Sequence, residues 1–291
     1  AKVAVVSAYP GESEVKDPAR PPVDGKSGKL MWDALKKYGL DRSNVWSSNA
    51  IKRQTSEAFP IHRDEEAKWM ELLIWELNQL SSLETVFVMG GSPLMALLSR
   101  TGVLNWRGSV LSEQGPNGKD IKFVITINPA HALREPVMEP FFMKDCQTLD
   151  LVVRGVWKSH KVEAIINPSF KEAMKFLGDL TKQKKPIATD VEHIRETYCW
   201  GFANDPHHGM CINFRDGTKN RYSLTEECDL YLKIQETFES NRMVVQNGGH
   251  ERYWSHYKDG LALPTWFDTM LAHHLLYPRL PHGLAFLTSM Y

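Results

Sequence analysis

The chain has 291 residues, more than one average domain, so two domains are expected, each with a core of its own. Hydrophobic residues make up 42% and charged residues 24%, and no apolar run approaches the ~20 residues of a membrane span, so we expect a soluble, cytoplasmic protein. Lysine plus arginine equals aspartate plus glutamate, at 35 each, which excludes a global basic field that would by itself indicate a nucleic-acid partner.

The cysteine pattern bears on redox chemistry and metals. The four cysteines are Cys146, Cys199, Cys211 and Cys228, and no two of them form a Cys-x-x-Cys pair. This spacing favours reduced structural thiols over a disulfide framework or a cysteine zinc site.

Strand-like and helix-like segments alternate through the first half. Short β-branched runs predict strands over 3–8, 44–51, 84–91 and 122–128, and apolar residues at helical spacing predict helices over 29–40 and 65–80. Such alternation implies a largely parallel sheet with helices on both faces, in which ligands bind at the carboxyl ends of the strands. The segments SAYPG, NAIK, GGSP and INPAH fall at those ends.

A lysine-rich break, TKQKKP (181–186), follows a helical stretch and precedes a second strand-rich unit. We therefore expect the domain boundary between residues 155 and 185. In the second unit, IATDVEH, TYCWGFAND and GMCINF predict three consecutive strands. A helix through EECDLYLKIQETFES, a strand in RMVVQNGG and a helix in HERYWSHYK follow. This order predicts a mixed sheet in an α/β domain.

Six segments of residues 1–157 form an ordered set: SAYPGESE, GKSGKLMWDAL, NVWSSNAIK, VFVMGGSPLMALL, WRGSV and INPAHALREP. In that order they resemble the Gly-Glu-x-Pro-Gly loop, the Gly-x-x-Gly-x-x-Leu helix start, the strand ending in Asn, the later strand and helix, the Arg-Gly turn and the His-Pro-Ser loop of the uracil-DNA glycosylase superfamily, in its iron-sulfur branch and relatives. The resemblance implies a parallel-sheet α/β/α domain that acts on DNA.

The departures from this family concern its chemistry. Base excision needs a group that positions water and a donor that stabilises the departing base. Aligned with the family, the loop Glu falls at Ala8, the His of the His-Pro-Ser loop at Asn128, and the aromatic that stacks on a flipped uracil near Val23. Asn49 remains and resembles the amide that reads the base edge. No cysteine precedes Cys146, so the family's iron-sulfur cluster is not expected.

These departures favour a scaffold without glycosylase activity. The alternative is an active glycosylase that uses Asn49, Asn128 and Glu12. A DNA-binding role is compatible with both interpretations, with contacts from Asn49, Asn128 and the Lys52-Arg53 pair, whose charges suit phosphates. For these residues a turn or a solvated face is the plainer alternative.

IATDVEH carries Asp190 and Glu192 two residues apart on a predicted strand, so both side chains leave the same face. Two such carboxylates suit a pair of divalent cations that activates water and stabilises the leaving oxygen in phosphodiester hydrolysis. VVQNGGHERYW carries Asn247 four residues before Glu251 at a helix start, and FDTMLAHHLLYP and HGLAFLTSMY follow. These motifs resemble the DEDD-type 3′-to-5′ exonuclease domain of family A DNA polymerases, which implies a ribonuclease-H-like fold.

The resemblance implies catalytic and metal-binding roles for Asp190, Glu192 and Glu251, with Mg²⁺ or Mn²⁺ as the cofactor. The family's second-motif Asp is Glu251 here, one methylene longer, which alters a ligand of demanding geometry. Asn247 is expected to order the loop or the DNA end.

The family's third motif, a Tyr with an Asp four residues on, does not occur before Tyr291. We therefore expect a fragment of a longer polymerase, with an exonuclease-like domain incomplete at its C-terminus. The alternative is a domain that is incomplete by nature, which is disfavoured because a core without its final helix would leave apolar residues such as Phe286 and Leu287 without cover.

The resulting plan has a glycosylase-like domain over 1–157, a linker helix over 158–183 and an exonuclease-like domain over 184–291. Its predicted function is that of the N-terminal region of a phage-like DNA polymerase that proofreads a single-stranded DNA 3′ end, with replication proteins as further partners, in a host cytoplasm. Two alternatives stay open: an active glycosylase fused to a nuclease, and a catalytically degenerate module that binds DNA or a partner. The sequence leaves the oligomeric state open.

Overall fold

The computed structural model describes residues 1–17, 19–55, 61–115, 118–159, 161–193 and 196–291. They form two compact units, described separately below. The first unit comprises Ala1–Lys158 with Ala285–Tyr291, and the second comprises Ser159–Leu284. Among the described helices, none is both long enough and apolar enough to span a membrane.

The first unit is built on five strands and the helices that connect them. The strands are β1 (Val3–Ser7), β2 (Val45–Asn49), β3 (Thr85–Met89), β4 (Val110–Gln114) and β5 (Asp120–Thr126). The helices are α1 (Glu12–Lys16), α2 (Lys26–Lys36), α3 (Arg63–Asn78), α4 (Gly91–Leu98), α5 (Val103–Trp106), α6 (Pro129–Arg134) and α7 (Glu139–Val153).

The sheet of the first unit has the order β2-β1-β3-β5-β4. Neighbours pair in parallel except for β4, which runs antiparallel to β5. Every residue of β1 and β3 is buried, as expected for strands covered on both faces. The predicted parallel α/β/α sheet is therefore confirmed. The antiparallel edge strand β4 was not predicted, because its half-buried sequence VLSEQ lacks a continuous apolar run.

The second unit contains strands β6 (Glu163–Ile166), β7 (Ile187–His193), β8 (Thr197–Ala203), β9 (His208–Asn213), β10 (Arg215–Asp216), β11 (Lys219–Asn220), β12 (Met243–Val245) and β13 (Thr265–Asp268). Its helices are α8 (Phe170–Gln183), α9 (Leu224–Ser240), α10 (Gly248–Asp259) and α11 (Thr269–Leu276). The chain's last helix, α12 (Leu284–Met290), belongs from Ala285 onward to the first unit.

The main sheet of the second unit has the order β13-β12-β7-β8-β9-β6. β7, β8 and β9 are antiparallel neighbours, whereas β12 pairs in parallel with β7 and β13 in parallel with β12. Three antiparallel strands followed by a helix and two parallel strands give the mixed sheet predicted for a ribonuclease-H-like domain. Its core is formed by apolar side chains of this sheet and of α8 and α9, including Trp200, Ile234 and Phe238.

The expected linker helix over 158–183 requires a correction. Residues 163–166 form β6, which pairs in parallel with β9, and residues 170–183 form α8, which begins at the capping box of Ser169 and Glu172. Leu177 and Leu180 of α8 lie in the second core. The segment is thus part of the second unit, because its apolar stripe packs on that sheet instead of crossing solvent.

The expected C-terminal boundary also differs from the structure. Residues 285–291 belong to the first unit, and Phe286 and Leu287 are buried. The ring of Phe286 meets that of Phe141 on α7 edge to face, with 6.0 Å between centroids. The expectation that Phe286 and Leu287 would lack cover without a further helix is therefore wrong.

Candidate functional site

Strand β7 presents its acidic residues on one face. Its burial alternates residue by residue, with Ile187, Thr189 and Val191 buried and Asp190 and Glu192 exposed. The two-residue period of a strand sends both carboxylates out of the same side of the sheet, as the spacing predicts. Thr189 supports this arrangement from the buried side, where its hydroxyl donates to the carbonyl oxygen of Gly201 at 3.0 Å.

Glu251 brings a third carboxyl group to this region from the first turns of α10. It is 5% exposed, and its Oε2 atom is buried with no hydrogen-bond partner among the described residues. Burial, as the largest cause, and the neighbouring Asp190 carboxylate together raise the pKa of Glu251 to about 7. The negative charge of Asp268 acts in the same direction. Glu251 and Asp190 are thus neighbours, as the second-motif prediction requires.

Glu192 leaves the same face of β7 as Asp190. It does not join Asp190 and Glu251 in a cluster of three carboxyl groups. Among the described residues, no group of three or more His, Cys, Asp and Glu side chains is arranged to hold a metal ion. The arrangement therefore supplies one close carboxyl pair, Asp190 and Glu251, with Glu192 beside it on the strand.

The start of α10 is held by an acid that the sequence interpretation missed. Asp268 ends β13, and its carboxylate accepts the backbone N–H of Gly248 at 2.7 Å and of Asn247 at 3.2 Å. It also accepts the N–H groups of Met270 and Leu271, so it caps α11 as well. An Asp directly before a helical run is a known N-cap signal, and FDTML contains it. The contact of Asp268 with the start of α10 joins residues about 20 positions apart, so no local sequence pattern predicts it.

Asn247 and Gly248 form a tight corner between β12 and α10. Asn247 is exposed and adopts a left-handed backbone with φ of 61°, which Asn tolerates better than most residues. A Cβ at Gly248 would lie 2.5 Å from Cγ2 of Val245, so only glycine fits there. Asn247 is therefore positioned at the exposed corner, with its backbone tied to Asp268.

In the first unit, four strand ends meet at the carboxyl edge of the sheet. Asn128 follows β5 and caps α6, with its Oδ1 accepting the N–H of Ala130 at 2.9 Å and its Nδ2 donating to Ser7 Oγ at 3.3 Å. Gly90 follows β3, and a Cβ there would lie 3.2 Å from Asn128 Cβ. Asn49 ends β2 in register with Ser7. The predicted clustering of these segments is thus observed.

Asn49 is the most distinctive polar group at this edge. Its side chain is 5% exposed, and its Oδ1 is buried without a hydrogen-bond partner in the described part of the chain. A buried amide oxygen left unpaired costs about 1–3 kcal/mol, so it is a natural acceptor for a bound polar group.

Two of the three positions aligned with the family's lost groups, Ala8 and Val23, lack polar replacements. Ala8 and Val23 are both buried. The carbonyl oxygen of Val23 accepts the indole N–H of Trp32 at 2.9 Å, and a Cβ at Gly28 would lie 2.1 Å from that oxygen. Glu12 lies exposed on α1 and pairs with Lys16 at 2.6 Å. Neither Ala8 nor Val23 offers the chemistry that excision requires.

Lys52 and Arg53 are engaged with glutamates of α3. Lys52 Nζ lies 2.6 Å from Glu76 Oε2, and burial lowers the pKa of Lys52 while Glu76 opposes that effect. Arg53 Nη2 donates to Glu65 Oε2 at 2.6 Å. These ion pairs reduce the positive charge that the predicted phosphate contacts would use.

A buried ion pair supports the end of β5 beneath this edge. Asp145 of α7 accepts hydrogen bonds from Arg107 Nε at 3.1 Å and from the hydroxyl of Thr126, the last residue of β5, at 2.8 Å. Arg107 and Asp145 are both fully buried. Burial raises the pKa of Asp145, against the lowering effect of Arg107. The Arg-Gly turn therefore holds the strand that leads to Asn128.

Comparison with solved structures gives distant similarities. The catalytic core of RRP6 from Trypanosoma brucei is 15% identical, with a TM-score of 0.37, and the match covers 46% of this chain and 36% of that one. A structure described as the apo form of the nuclease is 14% identical, with a TM-score of 0.30, and the match covers 43% of this chain and 57% of that one.

Comparison with curated sequences concerns about half of the chain. A type-4 uracil-DNA glycosylase of Pyrobaculum aerophilum is 29% identical over 148 residues, which cover 49% of this chain and 74% of the glycosylase. A DNA polymerase of Bacillus phage SP01 is 25% identical over 156 residues, 53% of this chain but 16% of the polymerase. The sequence model of the Uracil DNA glycosylase superfamily matches residues 1–152. Because that match spans more than half of the 291 residues of this chain, the chain belongs to the uracil DNA glycosylase superfamily.

Proposed function

We propose that this chain acts on DNA as a region of a replicative DNA polymerase, in which the second unit hydrolyses phosphodiester bonds at a single-stranded 3′ end. The observation that carries the proposal is the contact between Asp190 and Glu251, with a buried Oε2 of Glu251 that has no partner among the described residues. The partial similarity to a phage DNA polymerase supports the replication setting.

The carboxyl groups fit a hard divalent cation. Oxygen ligands from Asp and Glu are those that Mg²⁺ and Mn²⁺ take, and close carboxylates repel one another unless a positive charge neutralises them. Asp190, Glu192 and Glu251 would hold the metal. When bound, a pair of such ions supplies a more acidic water molecule and neutralises charge at the reacting phosphate.

The chain's own residues contribute position and charge. Asp190 and Glu192 leave one face of β7, and both positions pair with β8, so their separation is fixed by the pleat. Glu251 comes from a helix whose first residue is held by Asp268. The side chain of Glu251 is one methylene longer than the Asp of the resembling family, and it reaches Asp190 from its buried position.

For the first unit, we propose a DNA-contacting role without uracil excision. Asn128, which aligns with the family's His, has its Oδ1 occupied by the N–H of Ala130, and Ala8 offers no carboxylate. A second candidate, recognition of a nucleobase edge, is favoured by the unpaired buried Oδ1 of Asn49.

The proposed hydrolysis is tested by calorimetric titration with Mn²⁺. Wild type is expected to release heat of binding that Asp190→Ala abolishes. Asp229→Ala, which removes an exposed acid of α9, serves as the matched control and is expected to bind like wild type. Identical heats for wild type and Asp190→Ala would refute the metal site and the hydrolytic function together.

A further inference from the structure

The second unit carries a groove that the proposed hydrolysis does not use. It has a volume of about 850 Å³ and lies between α9 and α10. Its walls are formed by Gln235 and Glu239 of α9 and by Arg252, Tyr253, His256 and Tyr257 of α10, over a floor that includes Leu263 and Pro264. We call it the α10 groove. This volume is within the range that accommodates a small organic ligand or a few linked rings.

Two tyrosines give the groove an aromatic wall. Tyr253 is 59% exposed and Tyr257 is 65% exposed, although both side chains are large and apolar in their rings. They are four residues apart on α10, and their rings are nearly parallel, at 9° with centroids 5.7 Å apart. Exposed parallel rings on one helix face offer flat surfaces on which planar groups can stack.

The cations beside these rings are not neutralised. Arg252 and Lys258 are exposed, and no carboxylate pairs with either of them in the described ranges. Lys258 Nζ lies 5.2 Å from the centroid of the Tyr257 ring. By contrast, Arg215 and Lys233 of the same unit pair with glutamates. The α10 wall therefore combines aromatic rings with uncompensated positive charge.

The opposite wall is polar and carries one carboxylate, that of Glu239. Gln235 Nε2 donates to Glu239 Oε1 at 2.8 Å, and Gln235 Oε1 accepts the N–H of Ala262 at 2.8 Å. These bonds fix the wall and leave the charge of Glu239 in place. The groove thus has a polar, acidic side and a cationic, aromatic side, with the positive charge located next to the rings.

The groove is separate from the carboxylate site even though α10 contributes to both. At about 100° per residue, Tyr253 and Tyr257 lie roughly 200° and 240° around the helix from Glu251. Glu251 is buried, whereas the tyrosines are exposed. A ligand in the groove therefore contacts the far side of the helix from the proposed metal ligands.

We propose that the α10 groove binds single-stranded DNA, with bases stacked on Tyr253 and Tyr257 and phosphates next to Arg252 and Lys258. Stacking platforms flanked by cations are the recurring means by which proteins hold unpaired strands without reading sequence. Paired bases hide their faces within the duplex, so duplex DNA has little to gain from exposed rings. The proposal goes beyond the hydrolytic function and holds without it, because stacking and phosphate contacts need no metal.

The test measures the anisotropy of a short fluorescein-labelled oligothymidine in EDTA, where metal-dependent cleavage does not occur. The double variant Tyr253→Ala/Tyr257→Ala is expected to bind at least roughly 10-fold more weakly, because removal of each stacking ring weakens binding several-fold or more. Tyr253→Phe/Tyr257→Phe keeps the rings and is expected to bind like wild type. Trp75→Ala removes an equally exposed aromatic from α3 and is the control for unspecific stacking.

A second measurement separates the cations from the rings. The slope of log affinity against log salt decreases in magnitude by about 0.7 for each phosphate of a single strand that the protein no longer neutralises. Arg252→Gln/Lys258→Gln is therefore expected to flatten the slope by about 1.4, with the thermal midpoint unchanged because both side chains are exposed. A 5-iodouracil oligonucleotide should cross-link to α10 at Tyr253 or Tyr257.

The proposal is overturned if the tyrosine double variant binds the oligonucleotide as tightly as wild type and the cross-links lie only in other segments. The groove would then be a candidate site for a protein partner. The result is independent of the metal site, because the affinity is measured in EDTA. If wild type shows no heat of Mn²⁺ binding but the tyrosine double variant loses oligonucleotide affinity, only the hydrolytic function is refuted. If Mn²⁺ binds wild type and not Asp190→Ala but the tyrosine double variant keeps its oligonucleotide affinity, only the groove is refuted.

Discussion

The carboxylate of Asp268 accepts the backbone N–H of Gly248 at 2.7 Å, which ties the end of β13 to the first residue of the helix that carries Glu251. The same carboxylate accepts the N–H of Met270 at 2.9 Å and so caps α11. One side chain therefore satisfies free donors of two helix starts. The candidate site depends on it, since Glu251 lies one turn beyond Gly248.

Asp268→Ala is expected to destabilise the second unit by about 2 kcal/mol, because the first turns of two helices lose a charged acceptor. Ser223→Ala removes the single cap of α9 and is the matched control, with an expected cost of about 1 kcal/mol. Urea denaturation measures both.

If Asp268 also positions Glu251, Mn²⁺ affinity should fall by about 10-fold or more in Asp268→Asn, as for other residues that orient a ligand. Equal Mn²⁺ affinity in Asp268→Asn and wild type would show that Asp268 caps the helices without positioning Glu251.

Glu251 predicts a pH dependence of stability in the metal-free protein. Its folded pKa, about 7, lies above its ordinary value of 4.5, so the protonated side chain contributes stability below pH 4.5 that is lost as the pH rises toward 7. Glu251→Gln cannot ionise and should escape this loss. We expect the variant to exceed wild type by roughly 2 kcal/mol in unfolding free energy at pH 8 in EDTA.

Parallel urea titrations at pH 4 and pH 8 check this expectation. Added Mn²⁺ should stabilise wild type at pH 8 and should stabilise Glu251→Gln less, since an amide is a weaker ligand than a carboxylate. The same change with pH in both proteins would show that Glu251 does not ionise in a buried setting.

What the sequence predicts well are features with a local period. The buried run VAVVS identifies β1, and the alternation of IATDVEH identifies the shared face of Asp190 and Glu192. What it misses depends on distant partners. The four residues of β6 are all exposed and form a strand because β9 pairs with them, and Phe286 is covered by Phe141, which lies far away in sequence. No local pattern encodes such contacts.

The same limit applies to the charges of the first unit. A Lys52-Arg53 pair after a strand end suits phosphates when only the local sequence is considered. In the fold, Glu76 and Glu65 of α3 lie against these two cations. The sequence carries both partners, but only the packing of α3 beside the strand end shows that they meet.

The buried pair of Arg107 and Asp145 predicts a large loss of stability on single substitution. Asp145→Asn leaves a guanidinium in an apolar setting without its counter-charge, which costs about 3–5 kcal/mol in comparable buried pairs. Lys175→Ala breaks the exposed i,i+4 pair with Asp179 on α8 and should cost far less, because exposed pairs of this kind contribute little to stability. Thermal denaturation of the two variants compares them. A similar small effect for both would mean that the Arg107 site relaxes to admit water.

The first unit is expected not to excise uracil, although the chain belongs to the uracil DNA glycosylase superfamily. Excision needs a group that positions water, and the aligned position, Ala8, carries only a buried methyl group. It also needs a donor at the departing base, where the family's His is replaced by Asn128, whose amide is oriented by the N–H of Ala130 and by Ser7 Oγ. The measurement is abasic-site formation on uracil-containing single- and double-stranded DNA, with Asn49→Ala as the site variant.

If uracil-containing DNA binds more weakly to Asn49→Ala than to wild type and neither protein forms abasic sites, the result agrees with base recognition through the unpaired Oδ1 of Asn49. Robust abasic-site formation by wild type that disappears in Asn49→Ala would instead show that Asn49 and the surrounding backbone suffice for catalysis.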